Sequence, residues 1–467
     1  MTILQGQEVT LPDMLTAREA RVFRQQELLR QYAAPLISFS MNIAGPVKDH
    51  PLIRRAYQTG LRELTAALQA ARLQVLHQED RRAVTGCEAI LCVKGSALSL
   101  KKITTAIEDA SPLGRLFDLD VIGTDGQKLD RDLVQGGPRC CIVCGEAGRG
   151  CASRRLHSVS DLQTATLRIL TEHFRQADAA AAASYATRAL LDEVCTTPKP
   201  GLVDCHNTGS HQDMDLFTFT ASTASLTSYW QECFRLGQET TEEAPASVFS
   251  RLRPLGQAAE RRMFAATGGI NTHKGAVFTL GTVCCAAGRL WRPEIPAPAP
   301  EAIAAECARL SSAAMQKDFQ EILASSADPG LTGPEAAASA TVGSRLYQAK
   351  GLTGARGELS DGLPDVLQTS LPVFEEGLAS GLSRNNSGAA ALLHLIATMT
   401  DTNMIARGGQ DSAREARDMA LQLIQKEPFP PAASIEALDD AFIARHLSPG
   451  GCADLLAVTY FLHDWCQ

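Results

Sequence analysis

Two aspartates stand two residues apart in GRLFDLDVIGTDG, residues 114–126. Leu116, Phe117, Leu119, Val121 and Ile122 make the stretch a strand, closed by a turn at Asp125-Gly126. Alternation along a strand puts Asp118 and Asp120 on one face. Two such carboxylates among apolar neighbours repel each other and resist burial unless something positive lies between them. Mg²⁺ carrying substrate phosphates meets that need. A bare Asp-x-Asp pair also occurs on strands that do no chemistry. Phosphate-directed groups flank it in sequence: Lys48 after the IAGPV turn, Gly95 and Ser96 ahead of a helix, and Arg115 just before the strand.

Downstream, Cys141, Cys144, Cys151 and His157 keep the spacing C-x2-C-x6-C-x5-H, which suits a tetrahedral Cys3His zinc site. The other reading is buried free thiols beside a basic strip of Arg149, Arg154 and Arg155. Cys140 points away from Cys141 and is expected to pack.

The second half concentrates its chemistry in four glycine-rich islands within an Ala/Leu-rich background. The longest is TPKPGLVDCHNTGSHQDMD, residues 197–215. Pro198 and Pro200 break a helix, and Gly201 and Gly209 free the backbone, so an ordered loop is expected. Asp204, Asp213 and Asp215 are hard oxygen ligands for Mg²⁺, Lys199 can reach a phosphate, and His211 or an acid can take a proton. Asn207 adds a further polar contact. GGINTHKG brings Asn271, His273 and Lys274, and TDTNMIARGG brings Asp401, Arg407 and Gly408. SPGGCADLLA opens a helix at Ser448-Pro449, where Gly450 and Gly451 leave first-turn amides open to an anion. Asp401 and Asp454 join the candidate Mg²⁺ ligands. Each island alone also reads as a solvated loop or a plain helix stop. Together they point to one composite site gathered at helix ends.

The elements that must position these groups fall into two sets. Helices near 13–32, 52–72 and 98–109 alternate with strands near 37–42, 73–77 and 89–93 and the aspartate strand, an α+β domain over residues 1–177. On the first helix Arg18, Arg21 and Gln25 share a face expected to look at solvent. The remainder, 178–467, reads as all-α. Its helices are expected near 180–194, 215–237, 248–267, 276–289, 300–325, 335–350, 363–381, 389–398, 412–426, 434–446 and 449–465. The polyalanine run 179–183 marks the join.

A chain of 467 residues accommodates two domains. A net charge of −8 argues against non-specific nucleic-acid binding, so no nucleic-acid partner is expected. The longest apolar run, 388–399, is interrupted by His394 and too short for a bilayer, so no membrane partner is expected either. Fourteen cysteines without a secretion signal read as reduced thiols of a cytoplasmic protein.

NIAGPVK, TGCEA, PLGRLFDLDV and RCCIVCGEAGRGCASRRLHS together resemble the apo-citrate lyase phosphoribosyl-dephospho-CoA transferase family, also called citrate lyase holo-acyl-carrier-protein synthase, over nearly all of the first domain. Ala44 stands where that family is expected to carry proline. Gly95-Ser96 followed by the aspartate pair also resembles the nucleotidyltransferase pattern, in which a Gly-Ser loop holds a triphosphate, although the interval to Asp118 is longer than usual. The resemblance implies a nucleotidyltransferase-like fold and reaction. A serine hydroxyl on the apo-acyl carrier (γ) subunit of citrate lyase attacks the α-phosphorus of a triphosphoribosyl-dephospho-CoA, and pyrophosphate leaves. The four islands, in their order, resemble the triphosphoribosyl-dephospho-CoA synthase family. That resemblance implies ATP and 3′-dephospho-CoA as substrates: the 2′-hydroxyl of dephospho-CoA attacks C1′ of the ATP ribose and adenine departs. Lys199, Lys274, Arg407 and Mg²⁺ would hold the triphosphate. The assignment of roles among Asp204, Asp213, Asp215 and His211 stays open. Three other readings remain: the same chemistry serving malonate decarboxylase, a nucleotide hydrolase, and a nucleotide-binding zinc scaffold.

Overall fold

The computed structural model describes residues 4–295, 297–312 and 354–466. The expected helix 335–350, and the part of 300–325 beyond 312, lie outside the described residues. The chain divides into two compact units between Gln176 and Ala177.

The first unit contains helices and a four-stranded antiparallel sheet. Its elements are α1 (Leu11–Tyr32), β1 (Leu36–Met41), α2 (Pro51–Ala70), β2 (Gln74–Ala83), β3 (Gly86–Lys94), α3 (Ala97–Asp109), β4 (Phe117–Ile122), α4 (Gly148–Arg154) and the start of α5 (Val159–Cys195). The strand order is β2-β3-β1-β4. Phe117, Leu119 and Val121 turn to one face with Ile37 and Phe39, all fully buried. Helix α2 approaches that face at Gly60, where a Cβ would collide with the Phe39 and Phe117 rings. Asp118 and Asp120 turn to the other face, opposite Ser40 and Ser38.

Two expectations change here. The strands expected at 73–77 and 89–93 are the two arms of a longer hairpin. The end of its first arm, Glu79 to Arg82, shows no apolar alternation because it is charged throughout, a common way to blunt a sheet edge. The Arg21 and Gln25 face of α1 is not turned to solvent. Arg21 pairs with Glu88 at 2.6 Å and Gln25 donates to Ser38 Oγ at 3.0 Å.

The second unit is all helical among its described residues. The polyalanine run lies inside α5, and Ala179, Ala182, Ala183, Ala186 and Ala189 are core residues. Then come α6 (Leu216–Glu239), α7 (Pro245–Ala266), α8 (Lys274–Leu290) and α9 over 300–312. They are followed by α10 (Gly354–Ser360), α11 (Leu371–Ala379), α12 (Arg384–Thr398), α13 (Thr402–Lys426), α14 (Ala432–Ala444) and α15 (Gly450–Cys466). Helices α6 and α8 meet backbone to backbone: a Cβ on Gly237 would strike the Cys285 carbonyl, and one on Gly288 the Phe234 carbonyl.

The helix expected over 363–381 runs over 364–379 with a wide turn inside it. A wide turn at Val366–Ser370 precedes α11, since Pro372 offers no amide to a regular ladder. The stop weighed at Arg407-Gly408-Gly409 is present: α13 is two helical stretches that meet at Gly409, whose φ of 81° and ψ of 174° are not helical. No helix among the described residues is long and apolar enough to cross a membrane.

Candidate functional sites

In the first unit, β4 is an edge strand, and its two aspartates share the face that α1 partly covers. Asp120 pairs with Lys128 at 2.6 Å. Burial, and then the Asp120 charge, push the Asp118 carboxyl above its usual range. A pair strained in this way favours an added cation, and Lys128 already supplies one positive charge. Gly95 and Ser96 are not beside the pair: the register sets Asp118 level with Ser40 and Glu88. Ser96 instead caps α3, its Oγ accepting from Ser99 N at 3.1 Å. Lys48 donates to the Ile43 carbonyl, and its amine is pushed below its usual range by burial and then by Arg18.

Beyond the N-terminal end of β4 lies a cavity of about 760 Å³. Four arginines reach it: Arg115, Arg131, Arg139 and Arg155. Arg139 holds the entry to β4, donating to the Phe117 carbonyl at 2.6 Å and the Arg115 carbonyl at 2.9 Å. Arg115 donates to the Cys140 carbonyl, and Arg131 pairs with Asp109. Even so, Nη1 of Arg115, Nε and Nη1 of Arg131 and Nε of Arg139 are buried without a hydrogen-bond partner. Buried guanidinium N–H groups left unsatisfied are costly, and a multivalent anion in the cavity would satisfy them. Arg115 was expected from sequence. Arg131 and Arg139 were not, because isolated arginines in an irregular stretch carry no spacing signal.

The Cys141, Cys144, Cys151 and His157 ligand atoms all lie within 4.8 Å of one another at the rim of this cavity. Cys140 does not pack; it is exposed.

In the second unit, all four islands contribute to a single cavity of about 510 Å³. Lys199 and His211 come from the long loop, Asn271, His273 and Lys274 from the start of α8, Arg407 from α13, and Gly450, Gly451 and Asp454 from the start of α15. Lys199 is 1% exposed, with Nζ 2.5 Å from Glu193 Oε1 and 2.7 Å from the Glu193 carbonyl. Glu193, not foreseen, also lines the cavity, and burial raises its carboxyl. Asp454 is pushed well above the ordinary carboxylate range by burial and then by the Glu193 and Asp401 charges. It fits only because residue 275 is glycine; a Cβ there would overlap its carboxylate. Lys274 pairs with Glu260 at 3.1 Å, and Asn271 Oδ1 accepts the Lys274 amide.

The two histidines are held in defined tautomers. Arg407, always a donor, points at His211 Nδ1 at 3.2 Å, so the imidazole proton sits on Nε2, 2.9 Å from Ser448 Oγ. Burial, and then Arg407, lower His211 to about 4. Its imidazole is neutral and engaged at both nitrogens, linking Arg407 to Ser448. His273 is reached by a relay: Thr272 donates to Ser222 Oγ at 2.7 Å, leaving the Ser222 proton for His273 Nδ1 at 2.7 Å. The His273 proton therefore sits on Nε2, which is buried without a partner. Burial lowers His273 to about 3, so it is a neutral donor in the cavity wall.

The aspartates proposed as a Mg²⁺ set do not converge. Asp204 is consumed by its own loop, accepting the amides of Lys199, His206 and Asn207 at 3.0, 2.7 and 3.0 Å. Asn207 bonds Asp439, which also takes the Gly201 amide. Asp215 caps α6 through the Thr218 amide at 2.8 Å, and Asp213 is exposed outside the cavity lining. Asp401 caps α13 through the Asn403 and Met404 amides and takes the Cys452 amide at 3.0 Å, so part of the expected anion site at α15 is already filled. Gly408 packs on Leu447 and Ser412. Aspartate is both the best capping and the best Mg²⁺ residue, and composition alone does not separate the two.

Residues 179–466 match the family described as ATP:dephospho-CoA triphosphoribosyl transferase, and residues 9–173 match apo-citrate lyase phosphoribosyl-dephospho-CoA transferase. A Haemophilus influenzae protein called Protein CitXG is 35% identical over 98% of this chain and 96% of its own. A Leuconostoc mesenteroides subsp. cremoris protein of the same name is 29% identical over 98% and 97%. A Klebsiella pneumoniae 2-(5''-triphosphoribosyl)-3'-dephosphocoenzyme-A synthase is 40% identical, covering 60% of this chain and 89% of its own.

Proposed function

The chain belongs to the family that fuses apo-citrate lyase phosphoribosyl-dephospho-CoA transferase to triphosphoribosyl-dephospho-CoA synthase, and from that premise we propose how its two cavities divide the work. The protein is a bifunctional transferase that makes and attaches the citrate lyase prosthetic group. The cavity of the second unit takes ATP and 3′-dephospho-CoA. The meeting of four sequence-distant islands at one cavity is the observation that carries this reading.

There, Lys199, Lys274 and Arg407 face the triphosphate. The C1′–O bond to dephospho-CoA forms as the C1′–N9 bond to adenine breaks. The hydroxyl proton passes to a carboxylate of raised basicity, Asp454 or Glu193, since a base works best with a pKa near the operating pH. The other carboxylate keeps its negative charge and steadies the oxocarbenium-like ribose, and the proton taken from the hydroxyl ends on the released adenine. The His273 Nε2 proton hydrogen-bonds the departing base. Mg²⁺, when bound with the triphosphate, would neutralise phosphate charge; Glu193, Glu260 and Asp454 are the cavity carboxylates that would hold it.

The first unit, of nucleotidyltransferase-like type, carries the transfer. Its arginine cavity holds the polyphosphate and retains pyrophosphate as it leaves. Asp118 and Asp120 serve the reacting phosphate and the serine hydroxyl of the γ carrier subunit, and fit Mg²⁺ by the strained pairing described above. Measuring adenine from ATP with and without dephospho-CoA tests the synthase half. Adenine should appear only with the acceptor; release without it would make this unit a nucleotide hydrolase. Labelling of the citrate lyase carrier against that of malonate decarboxylase tests the acceptor.

A further inference from the structure

The segment 135–158 has no apolar core of its own and is tied to the rest of the unit mainly through Arg139 and the Cys140 carbonyl. Among its described side chains only Cys151 is buried, and Leu156 is 57% exposed. Yet the segment is ordered by a tight knuckle: Cys141 N donates to the Glu146 carbonyl at 2.7 Å and Gly145 N to the Cys141 carbonyl at 3.0 Å. Gly145 takes φ +79°, and the Val143 amide points at Cys141 Sγ at 3.4 Å. Small irregular segments without a core are held by a disulfide or a metal.

The sulfurs are spaced for a metal. Cys144 Sγ and Cys151 Sγ lie 3.4 Å apart, and His157 Nε2 is 3.3 Å from Cys144 Sγ. Metal–sulfur bonds of roughly 2.3 Å and metal–nitrogen bonds of roughly 2.0 Å set tetrahedral ligand edges of about 3.5–3.8 Å, and a disulfide would need about 2.05 Å. No other group of three or more such ligands gathers among the described residues.

We propose that Cys141, Cys144, Cys151 and His157 bind one Zn²⁺ in a closed tetrahedral site, and that this ion fixes the cavity wall from which Arg139 and Arg155 face the polyphosphate. Four protein ligands leave no open position, so the ion is structural and takes no part in bond making. Arg139 sits two residues before Cys141 and Arg155 two residues before His157. The metal therefore anchors both guanidinium-bearing stretches, while Arg115 and Arg131 come from elements outside the knuckle. The role of the wall rests on the assignment of this cavity to the transferase; the metal itself does not.

The test uses the full chain, with Cys144→Ser and Cys151→Ser variants. Elemental analysis should find about one zinc per parent chain and much less in either variant. Cobalt substituted into the parent should give the absorption of tetrahedral, thiolate-ligated Co²⁺, lost in the variants. Adenine release by the second unit should be unchanged in all three proteins, and near-parental cooperative unfolding of the first unit reports that the variants are folded. Carrier labelling by the variants should fall about 10–100-fold, mainly as a raised KM for the triphosphoribosyl donor. A parent chain without zinc after growth in zinc, or variants that keep it, overturns the site. Zinc lost with carrier labelling unchanged overturns the positioning role and leaves the site. Zinc present in the parent with no carrier labelling by any protein counts against the transferase assignment alone.

Discussion

At the scale of single residues, the second cavity separates groups by what their polar atoms already hold. Asp204 and Asp401 spend their oxygens on backbone amides, so their loss is a loss of caps. Asp401→Ala should destabilise the protein by about 1–3 kcal/mol, read by denaturant unfolding, with the Mg²⁺ dependence of adenine release unchanged. A shifted Mg²⁺ dependence would restore Asp401 as a ligand. His273 is the reverse case, since its Nε2 proton has no partner. His273→Ala should lower kcat for adenine release about 10²-fold with little change in KM for ATP; a pure KM effect would deny it the leaving group. The buried imidazole also predicts a pH effect. Its pKa is about 3 when folded, against roughly 6.5 unfolded. Between those values the unfolded chain binds the extra proton, so stability rises with pH. From pH 6.5 down to 5, the parent should lose about 2 kcal/mol more than a His273→Asn protein in parallel unfolding curves.

At the scale of elements, motif order was legible and partnership was not. Glycine and proline punctuation marked the islands correctly, because those residues restrict the backbone wherever they stand. Glu193 went unseen, since one acid in ALLDEVC within a long helix looks like any solvated residue until Lys199 is folded back on it. The strand of Asp118 and Asp120 was readable from alternation alone, and so was their shared face. The proposed Gly-Ser partner was not, because sheet register depends on pairing that no local pattern encodes. The kink in α13 makes a prediction of its own. Gly409 holds a positive φ where two helical stretches meet, two residues after the Arg407 that reaches His211. Gly409→Ala should cost about 1–2 kcal/mol and raise KM for ATP, by straining the turn that aims Arg407. A variant of normal stability and KM would show that the bend is incidental.

At the scale of the whole molecule, each of the two cavities is lined by residues of one unit alone. The lining of one cavity comes from residues 42–162 and that of the other from 190–457. A fragment of residues 177–467 should therefore release adenine from ATP only when dephospho-CoA is present. If the fragment folds, as judged by cooperative unfolding, yet stays inactive until the first unit is added, the division of labour is wrong. Fusion then acts by raising the local concentration of the intermediate, an advantage that fades once the intermediate is supplied in excess.

The crossing of α6 and α8 carries a consequence for how this chain tolerates change. At Gly237 and at Gly288 the space a side chain would need is filled by the main chain of the other helix, at Cys285 to Arg289 and at Phe234. Neither can gain even a methyl group unless both backbones separate. In a saturation library scored for adenine release, these two glycines should rank among the least replaceable positions of the second unit, although neither lines its cavity. A compensating change at one alone should not rescue the other, because the obstruction is main chain and main chain cannot be mutated away.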